Sequence, residues 1–161
     1  MTDKKHHKVN FADCYVLTNK RTKEFIMSFL NKYIPNRKEY TDVYEVPQFA
    51  EDPVLVFKSA DELIEYLEHS KHEVHAIYWY NEVEEILRGT MCLFTSDGQV
   101  IVGIFCESLF PDNSIEEKYF NDLKEFCGSN IGLIEYETPA AKDTDDFLRR
   151  VNEYMQNKDS R

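Results

Sequence analysis

The amino-acid sequence predicts a single α+β domain, a mostly antiparallel sheet whose central meander spans residues 74–107, with about four helices packed on it. Three observations lead there. The chain has 161 residues, the length of one domain with enough chain to close a core. Hydrophobic residues make up 42% and charged residues 30%, with five Gly and five Pro, which excludes disordered, collagenous and low-complexity chains. Strand-like and helix-like patterns also succeed one another without the regular alternation of a doubly wound parallel sheet.

Residues 1–10 contain no periodic apolar pattern and read as a mobile basic tail, leaving 11–161 as the domain. From Phe11 to Thr18, Ala12, Cys14 and Val16 alternate with Phe11, Asp13, Tyr15 and Leu17, which suits a strand with at least one buried face. A helix follows. Phe25, Ile26, Phe29, Leu30, Tyr33 and Ile34 form one stripe, and Pro35 marks where it can no longer continue. Thr41–Val46 and Val54–Phe57 read as short strands, with Pro47 placing the first at an edge. Ser59 and Glu62 make a capping-box pattern, so Leu63, Ile64 and Leu67 turn inward along a helix that fades near His69 or Ser70.

Alternation from Val74 to Tyr80 predicts a strand, and two more, Gly89–Thr95 and Gln99–Glu107, flank Asp97-Gly98. That dipeptide between apolar runs signals a hairpin, because both residues tolerate positive φ. The hairpin is expected at the sheet centre, with helices on one face or at its ends. Ser114 and Glu117 repeat the capping box, Tyr119, Phe120, Leu123 and Phe126 supply a buried stripe, and Gly128 stops the helix. Ile131–Glu137 reads as a strand, and Asp143 or Thr144 caps a last helix through Phe147, Leu148, Val151, Tyr154 and Met155.

The net charge is −11, unevenly distributed. Residues 1–38 hold nine basic and three acidic groups, a balance of +6, which leaves −17 for the remainder. Such a surface repels phosphate backbones and anionic lipid heads, arguing against nucleic-acid and membrane partners, and it steers encounter with basic proteins. No apolar run reaches the roughly 18 residues of a membrane span, and no signal segment is seen at the start. The four cysteines, Cys14, Cys92, Cys106 and Cys127, form no CxxC pair. Three of them sit among apolar residues at strand-like spacing, as buried free thiols do, so a reducing cytoplasm is expected.

No motif singles out a catalytic class. G-x-S-x-G, the phosphate loop and G-x-G-x-x-G are all absent, and no cofactor is expected. His69, His72 and His75 are a local concentration of metal-ligand types, but the last falls in a predicted strand, so no metal site is expected. Glu82, Glu84 and Glu85, with Glu107, Glu135 and Glu137 on other strands, would do acid and base work only at a defined separation. The unusual feature is aromatic content: ten Tyr, eleven Phe and one Trp. Its densest cluster with carboxylates is Tyr78, Trp79, Tyr80, Glu82, Glu84 and Glu85, and in a strand Tyr78 and Tyr80 share one face while Trp79 takes the other.

Tyrosines ringed by carboxylates anchor cationic surfaces, so the sequence is expected to encode a non-catalytic module that binds a basic protein. In size, acidity and lack of catalytic motifs it resembles the small acidic immunity proteins with which bacteria neutralise a cognate toxin. That resemblance implies a basic toxin as partner and occlusion as mechanism. The alternative expectation is a small enzyme or ligand-binding domain with a Tyr/Glu-lined pocket between sheet and helices. A homo-oligomer, in which residues 1–38 of one copy meet the acidic remainder of another, is a third arrangement.

Overall fold

Alternation along the first apolar run builds β1 (Asn10–Thr18), the first element of a computed structural model that describes residues 10–159. Residues 1–9 of the expected basic tail lie outside the described residues. After β1 come α1 (Lys23–Tyr33), β2 (Arg37–Glu39), β3 (Tyr44–Val46), β4 (Leu55–Phe57), α2 (Ala60–His69), β5 (His75–Asn81), β6 (Leu87–Phe94) and β7 (Val100–Ser108). The chain continues through α3 (Ser114–Cys127), β8 (Gly132–Glu135) and α4 (Thr144–Asp159). Six strands form one antiparallel sheet in the order β2-β5-β6-β7-β1-β8, while β3 and β4 pair apart as a two-stranded ribbon. The architecture is a single α+β domain, with the β6–β7 hairpin at the sheet centre as its sequence predicts.

Local chemistry sets most boundaries. Ser59 Oγ accepts the Glu62 amide, opening α2, and Asp143 accepts the Asp146 amide at 2.7 Å, opening α4. Gly128 closes α3 in the left-handed region at φ 63°. Two expectations need correction. Ser114 is already helical, and the Asp112 carboxylate takes its amide; Asn113 occupies the cap position without a side-chain bond. In the hairpin only Gly98 has positive φ, because Thr95 and Gln99 pair across a three-residue loop. Asp97 instead accepts bonds from Thr95, Gln99 and Thr144.

The sheet is covered on both sides, unequally. On the inner face Cys14, Ile77, Trp79, Phe94 and Val102 pack against Phe29 and Leu30 of α1, Leu63 and Leu67 of α2, and Phe120 of α3. Each such side chain contributes roughly 1.5–3 kcal/mol by leaving water. On the outer face Tyr15, Leu17, Met91, Ile101 and Leu133 receive Phe147 of α4. The helices therefore do not share one face, a departure from the expected layering. β1, β6 and β7 are apolar on both sides and need a cover on each. One helix covers only part of a six-stranded face, and the region over β5 and β2 stays open.

All four cysteines are free and buried. Among the described residues no helix is long and apolar enough to cross a membrane.

Candidate functional site

Strand alternation divides the cluster singled out in the sequence. Trp79 points inward and is 3% exposed, so it is a core residue and not a contact residue. Tyr78 and Tyr80 point to the outer face, 39% and 49% exposed. Glu82, Glu84 and Glu85 are exposed on the loop joining β5 to β6. Glu82 is fastened there through its amide to the Asn36 carbonyl at 2.8 Å. The charge of Glu85 is felt at Tyr119 of α3, on the inner side of the sheet, where burial above all, then the neighbouring Cys106 and the charge of Glu85, raise the phenol.

On the open outer face the rings form a continuous row. Tyr40, just after β2, packs on Tyr80 with centroids 5.1 Å apart and on Tyr78 at 6.1 Å. Tyr78 in turn stacks on Phe105 of β7 at 6.3 Å, and Tyr15 of β1 meets Phe105 edge-on. Glycine makes this row possible. Gly103 faces Tyr15 across the β1–β7 pair, and a Cβ there would stand 2.5 Å from the Tyr15 ring. Beside the row, Gln48 pins its loop to β5 by exchanging two bonds with the Ala76 backbone, at 2.8 and 3.2 Å. This leaves a groove of about 310 Å³ between Tyr40, Val43, Phe49 and Tyr78. Phe49 is 90% exposed and held at φ 67°, a conformation that bulky residues seldom adopt.

A carboxyl cluster closes the other end of the row. Asp13 of β1 lies opposite Phe105 on one side and Glu135 of β8 on the other, and is 9% exposed. Burial raises its pKa from near 3.8 to about 7, and the charges of Glu135 and Glu137 add to the rise; a backbone bond at Glu137 opposes it. Glu135 is paired to Arg150 of α4 at 3.2 Å, and Arg150 also holds Asp146. Glu107, on the same face, is paired to Arg88 at 2.8 Å. Of the six carboxylates considered in the sequence, the fold brings Glu135 and Glu137 together around a residue that sequence reasoning missed. Asp13 carried no signal of its own, since its partners arrive through strand pairing about 120 residues later.

The three histidines do not converge. His72 bonds the Ser96 carbonyl, while His75 is buried on the inner face between the carbonyls of Ala76 and Glu45, where burial lowers its pKa. Among the described residues no group of three or more His, Cys, Asp or Glu is arranged to hold a metal ion.

No family model, curated protein or solved structure matches the chain. What the open face can do follows from its own chemistry. It offers π-surfaces, an exposed phenylalanine and, at one end, a carboxyl cluster in which Asp13 favours its protonated form while Glu135 is paired to Arg150.

Proposed function

We propose that the chain is a non-catalytic interaction module that docks a basic protein on the half of the outer sheet face that α4 leaves open. The row Tyr40, Tyr80, Tyr78 and Phe105, ending at Asp13, carries the reading. A monomeric domain has little reason to leave such a row in water. Ring faces attract Lys and Arg, tyrosines supply contact area at small entropic cost, and the −17 balance after residue 38 steers a cationic partner toward them. A toxin whose own substrate groove is basic is the kind of partner this surface fits, with carboxylates standing where phosphates would lie. Occlusion then needs no chemistry from this chain.

The test is a titration of the isotope-labelled protein with an arginine-rich peptide and, as control, a glutamate-rich one of equal length. The arginine-rich peptide is expected to shift the resonances of Tyr40, Tyr78, Tyr80 and Phe105. The effect should weaken between about 50 and 300 mM salt and vanish in the Tyr78→Ala, Tyr80→Ala double variant. Shifts indifferent to salt, or lying elsewhere, refute the reading.

The raised pKa of Asp13 favours a second reading, a ligand-binding or catalytic site in which this carboxyl carries a proton near neutrality. A small-molecule ligand displacing the arginine-rich peptide from this face would select it.

A further inference from the structure

Beside the row of rings, apolar surface continues off the large sheet and onto the β3–β4 ribbon. The groove of about 310 Å³ has Tyr40 and Tyr78 on its sheet side, Val43 and Glu45 on its ribbon side, and Phe49 on the loop between. Alternation buries Tyr44 and Val46 of β3 and turns Glu45 outward, and pairing sets the exposed Val56 of β4 directly opposite Glu45. Val54, whose amide donates to the Val46 carbonyl at 2.8 Å, prolongs the ribbon and is 80% exposed. Val43 is exposed too. The left-handed backbone at Phe49 is costly for a bulky residue, yet the ring it carries stands in water. A patch of this kind marks a place where something docks.

Charge says what kind of partner covers it. Residues 41–58 carry four carboxylates, Asp42, Glu45, Glu51 and Asp52, against the single cation Lys58. All four are exposed, and among the described residues none of them is in an ion pair. An anionic or purely apolar occupant would leave those charges unmatched or stripped of water, whereas cations beside an apolar group match both features at once.

We propose that the groove receives one bulky apolar side chain of the basic partner, seated between Val43, Phe49 and Tyr78, with the residues flanking that side chain cationic and facing Asp42, Glu45, Glu51 and Asp52. The volume suits a single large side chain and little more. This inference rests on the docking reading for the partner's positive charge and adds to it an anchor. Anchors seated in pockets dominate binding energy and slow dissociation, while peripheral charges mostly set the rate of encounter.

Three end-capped peptides separate anchor from charge: Arg-Arg-Trp-Arg-Arg, Arg-Arg-Ser-Arg-Arg and Glu-Glu-Trp-Glu-Glu, each titrated into the isotope-labelled protein. The first is expected to shift Val43, Phe49 and Tyr78 and to bind at least about 10-fold tighter than either control, the low end of what burying one large apolar side chain is worth. Phe49→Ser alters a side chain that is almost wholly in water, and it should reduce the Trp peptide to the affinity of the Ser peptide. Equal affinity of the two arginine peptides, with shifts confined to Tyr40, Tyr78, Tyr80 and Phe105, removes the anchor and leaves the docking reading standing; no response to either removes both. A glutamate peptide that binds as tightly as its arginine counterpart, or a Trp advantage that survives in Phe49→Ser, overturns the proposal. So does sedimentation showing a concentration-dependent dimer that Phe49→Ser abolishes, since the occupant would then be a second copy.

Discussion

Arg21 is almost wholly buried, and its guanidinium donates to five carbonyls, those of Leu67, Ser70, Glu73, Thr95 and Gln99, at 2.6–3.1 Å. It lies against the Phe94 ring as well. One side chain thus ties the end of α2 to the central hairpin, and one of the nine basic groups of residues 1–38 is unavailable at the surface. Asp13 is the acidic counterpart, a carboxyl whose surroundings favour the protonated form. Between about pH 4 and 7 the folded chain keeps a proton on Asp13 that the unfolded chain has already released, so this group's contribution to stability falls as pH rises through that window and levels off above it. Asp13→Asn removes the titration. It should match the parent near pH 4 and exceed it by about 2 kcal/mol at pH 8, roughly half of the full three-unit linkage. Denaturant unfolding at both pH values measures this, and a variant no more stable at pH 8 contradicts it.

Among the elements, α4 decides how much of the outer face remains available. Its main apolar anchor is Phe147, 1% exposed against Tyr15, Met91, Ile101 and Leu133. Phe147→Ala should cost about 3–5 kcal/mol and speed amide exchange in α4 and β8 before the rest of the sheet; a loss below about 1 kcal/mol would mean that other contacts hold the helix. The elements themselves were largely legible in the sequence, because helix stripes such as Phe25 to Ile34 and the Asp97-Gly98 hairpin are local signals. β2 was not. Arg37-Lys38-Glu39 has no apolar residue to alternate and becomes a strand only through pairing with Asn81, Tyr80 and Trp79. The site was half legible. The period of two already placed Tyr78 and Tyr80 opposite Trp79, but Phe105, Tyr40 and Asp13 join them through registers between distant segments, which no local pattern encodes. The placement of α4 did have a signal, since the unbroken apolar run Val100 to Phe105 belongs to a strand buried on both faces.

Over the whole molecule, the net charge of −11 sets carboxylates against one another. The ion pairs around the periphery, such as Lys23 with Glu65 and Arg149 with Glu153, are exposed and each worth under about 1 kcal/mol. Repulsion should therefore outweigh them. Raising salt from about 10 to 200 mM is expected to increase the melting temperature by a few degrees, and a decrease would mean that attractive pairs dominate.

The two margins of the large sheet are its shortest strands. β2 runs three residues, all charged, and β8 runs four. A neighbouring chain seeking a template for further β-pairing finds barely one turn of pleat at either rim, and at β2 it meets two cations followed by an anion. Growth of the sheet into fibres is thereby curtailed, even though the molecule exposes many aromatic rings at its surface.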